Sequence, residues 1–218
     1  MERLAAEQLK VEQQKTLSSP PMRYNFLAQV LFIFMDLAYG RKRSLSKFKV
    51  LEVIARVPYQ AWEHVAYIAI THIYKDADFA KRIFDRVQES RQQQDNEQWH
   101  LLILEEWIHR RQIHENFFLH RIVPQILAFV YYQISWFLFV IKPSLSYRLN
   151  AYFEDHAERE YMAFAKERPE LGSEPFESHF KSEFGNFKTM ADVVRQIGYD
   201  ERVHKLESLQ HIADARFS

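Results

Sequence analysis

A glutamate and a histidine three residues apart on a helix point a carboxylate and an imidazole to one face, about one turn apart, where both can grip a metal ion. The chain holds three such pairs: Glu97/His100, Glu106/His109 and Glu201/His204. With 20 Glu and 10 His among 218 residues, chance supplies about one, so repetition carries information that one pair lacks. Glu106 follows Glu97 by nine residues, and nine steps of about 100° carry it to the opposite side of the helix. Glu106/His109 therefore reads as a solvated face. A ferritin-like di-iron bundle takes Glu-x-x-His from two helices and one Glu from each of two others. Glu52 precedes Glu97 by 45 residues and Glu154 precedes Glu201 by 47, so the chain divides into two similar halves. That symmetry favours Glu52 over Glu63. Together Glu52, Glu97, His100, Glu154, Glu201 and His204 offer four carboxylates and two imidazoles, a donor set suited to two iron ions.

Three neighbours fit around this set. Asn96 and Asp200 each stand four residues before the histidine of a motif, where a side chain can orient a ligand by hydrogen bonding. Tyr161 follows Glu154 by seven residues, two turns along the same face, where a phenol can hydrogen-bond substrate or pass a proton or an electron.

Positioning these groups requires long helices, and the composition supplies them. The chain is 47% hydrophobic and 15% aromatic, with four Gly and no Cys, which describes one helical domain, all-α, without thiolate metal ligands or disulfides. Lys and Arg balance Asp and Glu at 29 each, which argues against a nucleic-acid surface. The scattered glycines form no phosphate-binding loop and no nucleophile elbow. Residues 1–24 read as an N-terminal extension, its first 17 residues a frayed helical lead-in, and 25–218 as a single domain of six main helices. Those helices fall near 25–39, 47–74 with a bend at Pro58, from Asp76 or Asp78 to about 114, 117–141 with a kink near Pro124, 144–166 and 189–216, with Ser46 a candidate cap for the second. Residues 168–186, with two Pro and two Gly, read as a surface loop.

The first and fourth of these helices are apolar nearly all round, and 122–141 contains no charge. A helix crossing the bilayer at 122–141 would start the two halves of the metal set on opposite sides, about 30 Å apart. Lying flat in one leaflet avoids this, with Arg41, Lys42, Arg43, Lys47, Lys49, Arg110, Arg111 and Arg121 available to lipid headgroups. The expectation is monotopic attachment.

LEVIARVPY (51–59), NEQWHLLILEE (96–106), VYYQISWFLFVIKPSLSYRLNAYFEDHA (130–157) and YDERVH (199–204) resemble the alternative oxidase family in order and spacing, more closely its plastoquinol (plastid) terminal oxidase branch. The resemblance covers about 47–211. It implies that Glu52, Glu97, His100, Glu154, Glu201 and His204 bind two Fe and that Tyr161 is catalytic. It further implies that Leu51 and Ala157 line a quinol pocket and that Lys47 and Tyr161 also bind the substrate. Lys47 stands where the family usually has Arg, Val53 where Thr is common, and Gly198 and Tyr199 where it tends to have Arg and then Ala or Asp. The implied activity is oxidation of plastoquinol or ubiquinol by O₂ to give water, without proton pumping. Implied partners are quinol, O₂, one lipid leaflet and a second copy in a homodimer. The segment at the start is not a transit peptide, which points to the cytoplasmic (or stromal-type) face of a bacterial plasma or thylakoid membrane. Two alternatives share the same features: a membrane-associated di-iron hydroxylase of a quinone precursor or lipid, and a non-catalytic helical scaffold or iron-binding bundle.

Overall fold

The computed structural model describes residues 2–214. The two halves anticipated from the Glu spacing appear as two packed helix groups. In the first, α3 (Leu45–Ala55) and α4 (Val57–Ile73) lie along α5 (Ala77–Arg110); in the second, α7 (Pro143–Glu167) lies along α9 (Met190–His211). Each group buries an apolar stripe against the other, with Phe48, Ile54, Ile103, Leu104, Phe153, Tyr161, Val194 and Ile197 in the common core.

Caps define the helix starts. Ser44, rather than the expected Ser46, caps α3 by accepting from Lys47 N at 3.2 Å; Asp76 caps α5, and Thr189 caps α9. The helix expected over 47–74 breaks at Arg56, and Pro58 sits in the first turn of α4, where its missing N–H costs nothing. The chain leaves α5 at Arg110, four residues before the expected end, with Gln112 in the left-handed region at φ 51°. Residues 168–186 are not featureless. They contain a 3-10 turn at Pro169–Gly172 and a one-turn helix, α8 (Lys181–Phe184), and Glu106 anchors them through Ser178 Oγ and His179 Nδ1. The last stretch expected to be helical, 215–216, lies outside the described residues.

The segment expected to fray is ordered instead. It forms α1 (Ala6–Ser18), packed on α7 and α9, with Leu9 fully buried. Polar contacts hold it as well: Gln13 Nε2 donates to Met162 O at 2.8 Å, and Thr16 Oγ1 donates to Glu158 at 2.6 Å. The chain then crosses α7 to reach α2 (Phe26–Tyr39). Asp155 holds this crossing, buried, and accepts from Met22 N at 3.0 Å, Tyr24 OH at 2.9 Å, Arg159 at 3.2 Å and Lys205 at 2.9 Å. Asp155→Ala takes the carboxylate from Met22 N and the Tyr24 phenol, while Arg159 keeps Thr16 O, Ser19 O and Pro20 O and Lys205 keeps Glu158, and it is expected to destabilise the fold by about 2–4 kcal/mol, measured by urea denaturation. A loss below about 1 kcal/mol would show that water replaces the carboxylate.

α2 and α6 (Val123–Ile141), the latter preceded by a π-turn at Phe118–Ile122, present the apolar surface. Leu37 is 81% exposed, Phe26 77%, Phe117 71% and Phe129 66%. The stretch Phe118–Ile141 is the one helical segment among the described residues long and apolar enough to cross a membrane. It is not a free-standing rod. Tyr131, Ser135 and Phe139 face inward, Trp62 stacks on Phe139, and Tyr39 OH on α2 donates to Leu119 O at 2.7 Å. Of the cations expected at headgroups, Lys47 and Lys49 are buried and paired, Lys47 with Asp36 and Lys49 with Glu115. Arg41 and Lys42 are exposed on the turn after α2.

Candidate metal centre

Four helices bring the six expected side chains into one dry cluster. Glu52 comes from α3, Glu97 and His100 from α5, Glu154 from α7, and Glu201 and His204 from α9, all with essentially no solvent exposure. One face of the polar run around Glu97 turns inward: Gln93, Asn96, Glu97 and His100 are buried, while Arg91, Gln92 and Asp95 are exposed.

The cluster resolves into two overlapping groups. Glu52, Glu97, His100 and Glu201 have donor atoms within 4.8 Å of one another, and so do Glu97, Glu154, Glu201 and His204. Glu97 and Glu201 belong to both. Glu52 with His100, and Glu154 with His204, are each confined to one. The fit to cations rests on the atoms left over. Glu52 Oε2, both oxygens of Glu97 and Glu201, Glu154 Oε2, His100 Nδ1 and both ring nitrogens of His204 are buried without a hydrogen-bond partner. Such orphans cost about 1–3 kcal/mol each unless something else satisfies them, and two metal ions would satisfy a set of this kind.

Each confined carboxylate has its other oxygen held. Tyr161 OH donates to Glu52 Oε1, and Tyr59 OH donates to Glu154 Oε1 at 2.7 Å. Asp200, fully buried, lies 3.2 Å from His100 Nε2 and is itself held by Arg3 at 2.9 Å, Gln196 at 2.8 Å and Asn96 at 3.3 Å. Asp200 therefore supports the histidine of the other helix rather than its own motif's, and Asn96 reaches Asp200 rather than a histidine. Arg3 brings a cation to the middle of α9, where Gly198 and Tyr199 supply none. Lys47 is committed to Asp36 at 2.6 Å and to Gly40 O at 3.1 Å, tying α2 to α3. Leu51 and Ala157 are buried on α3 and α7. They are not among the residues lining the apolar cavity of about 270 Å³ that opens between α2 and α6, over Tyr131 and Leu149.

Packing the cluster together shifts the protonation of Glu52, Glu97 and Glu154 in the metal-free protein. Burial, reinforced by the charge of Glu201, pushes Glu52 well above the ordinary carboxylate range, and burial with Glu201 and Glu97 does the same to Glu154. Glu97 goes the other way: burial opposes its charge, but His204 and His100 outweigh that and hold it low. For His100 and His204 burial favours the neutral ring, yet the surrounding carboxylates win and raise both. Burial and the charge of Glu52 raise the Tyr161 phenol.

The signs for Glu52, Glu154 and both histidines agree. Each holds its proton more tightly when folded, so its contribution is complete below its unfolded pKa and is lost as pH rises through the folded one. Glu97 contributes above its unfolded value and loses this only in strong acid. The urea midpoint of the metal-free protein is therefore expected to fall as pH rises above the ordinary carboxylate and imidazole values, about 4.3 and 6.5, and metal loading, which displaces these protons, should remove that decline. A metal-free midpoint that rises over the same range would contradict the assignment.

Comparison with known proteins agrees with this geometry. Residues 2–213 match the alternative oxidase family. The ubiquinol oxidase 4, chloroplastic/chromoplastic, of Arabidopsis thaliana is 31% identical over 141 residues, which is 65% of this chain and 37% of that protein. The aligned part thus spans little more than a third of the relative's length. Alternative oxidases are di-iron carboxylate proteins, and the all-α bundle here buries two Glu/His groups able to bind metal. With a match that runs almost from end to end of the chain, this protein belongs to the alternative oxidase family.

Proposed function

We propose that this chain is a membrane-bound quinol oxidase that reduces O₂ to water without pumping protons. The observation that carries the reading is the pair of overlapping metal-binding groups sharing Glu97 and Glu201, set in a bundle with an apolar outer face. Glu52 and His100 would hold one iron and Glu154 and His204 the other, with Glu97 and Glu201 common to both. When bound, two irons would relay to O₂ the four electrons and, with the protein's groups, the four protons that two quinols release in giving two quinones and two waters. The protein's own residues do the rest. Tyr161, buried against Phe48 at 4.3 Å, keeps its proton on the phenol facing Glu52, where it can pass a proton or an electron between quinol and the centre. Leu51 and Ala157 would meet the quinol ring, and Lys47, through its pairing with Asp36, would set the position of α2 beside it. Asp200 and Asn96 hold His100 in place.

The apolar faces of α2 and α6 support attachment to one leaflet. α6 is packed along α4 and α7, which carry charged residues, so it could not cross a bilayer without drawing them in at several kcal/mol each. The cytoplasmic or stromal-type face of a bacterial plasma or thylakoid membrane fits this arrangement. Exposed Tyr67 and Phe84, on α4 and α5, offer a surface for a second copy in a homodimer.

The test is oxygen uptake by the purified protein with plastoquinol and ubiquinol analogues. Quinone and water as products are expected. Oxygen from labelled O₂ found in an organic product would make the protein a hydroxylase, and iron binding without turnover would make it a storage or scaffold bundle.

A further inference from the structure

Tyr59 follows Glu52 by seven residues, the same interval that separates Tyr161 from Glu154. In the fold the two phenols cross over. Tyr161, from the second half, donates to Glu52 of the first; Tyr59, from the first half, donates to Glu154 of the second. In both carboxylates the phenol takes Oε1, and Oε2 is the buried oxygen without a partner. The two tyrosines are thus counterparts under the internal two-fold relation of the bundle.

Their surroundings differ. Tyr161 stacks on Phe48, whereas the Tyr59 ring stands edge-on to Trp62 at 5.1 Å and to His204 at 5.7 Å. Tyr59 therefore touches both side chains confined to the second metal group, Glu154 by a hydrogen bond and His204 through its ring. Its oxygen also accepts from Asn150 Nδ2 at 3.0 Å, and that same amide donates to Ser208 Oγ at 3.1 Å. With Asn150 donating to the phenol oxygen, the single phenol proton is directed at Glu154. Tyr59, Asn150, Glu154 and Ser208 are all buried, so water does not compete.

Resting on the di-metal reading above, we propose that Tyr59 is a positioning residue for the Glu154/His204 metal site: it occupies Oε1 of Glu154 and so presents Oε2 to the ion. Losing a group that orients a ligand costs about 10–100-fold in metal affinity. The effect falls on one site of two, which separates positioning from general packing.

The experiment is Co(II) titration against a competing chelator, with thermal melting recorded alongside. Two Co(II) per wild-type chain are expected; fewer would overturn the di-metal reading itself. Tyr59→Phe is expected to weaken one site by about 10–100-fold and leave the other unchanged. The site is identified by pairing this change with loss of one histidine. In His100→Ala, which retains the Glu154/His204 ion, adding Tyr59→Phe should weaken the remaining ion; in His204→Ala it should not. Asn150→Ala, which keeps the phenol but frees its proton to turn, should shift the same site in the same direction by a smaller factor. If wild type binds two ions and Tyr59→Phe alters neither affinity, or both equally, Tyr59 is packing alone and the proposal fails.

Discussion

Glu201→Ala is expected to bring metal content from about two ions per chain to less than one and to abolish quinol-dependent oxygen uptake. Glu201 belongs to both metal-binding groups, with one oxygen 3.2 Å from His100 Nδ1 and the other 3.8 Å from His204 Nδ1. Removing it therefore damages both sites together. A group one bond further from a metal costs about 10–100-fold, so a carboxylate shared by two ions should cost at least about 1,000-fold in activity. The metal-free form should respond little. Glu201 is the charge that most strongly raises Glu52 and Glu154, but it also helps to hold protons on His100 and His204, so the two effects of its loss offset and metal-free Glu201→Ala should melt close to metal-free wild type. An inactive variant that folds about as well is a signature general misfolding cannot produce. Glu63→Ala is the control: Glu63 pairs with Arg91 at the surface, and its loss should leave both metal content and turnover unchanged. Full metal occupancy in Glu201→Ala would remove the shared-ligand arrangement.

The second large effect concerns the membrane. Leu37 on α2 and Phe129 on α6 are among the most exposed apolar side chains of the protein. Burying such a side chain in lipid contributes about 1.5–3 kcal/mol. Replacing both by Glu forfeits that and adds two charges at the apolar surface. The double variant should bind vesicles at least about 100-fold more weakly than wild type, read by flotation, and should stay in solution without detergent. Its metal content should not change, because both side chains point away from the bundle. Undiminished flotation would mean that another surface makes the attachment.

Much of the site is legible in the sequence because metal ligation is demanding about residue type and helices are strict about spacing. The repeated Glu-x-x-His and the matched intervals to Glu52 and Glu154 identify the six side chains that the fold gathers. Tyr59 was readable by the same rule: the seven-residue step that singled out Tyr161 also holds in the first half, but there it crosses the break at Arg56. What spacing along one helix cannot show is a partner on another. Asp200 supports His100 across the bundle, and Lys47, placed near substrate by resemblance, spends its charge on Asp36. α1 escapes a hydropathy reading for a related reason. Its buried face includes Gln13 and Thr16, polar residues that belong in the interior only because Met162 O and Glu158 are there to receive them.

Arg3 reaches from ahead of α1 to Asp200, which in turn lies against His100. The opening residues are therefore wired to the centre through two contacts. A purification tag, a cleavage scar or a shortened start would be felt at the histidine itself, and preparations that differ only at their beginning should not be assumed to hold iron with equal strength.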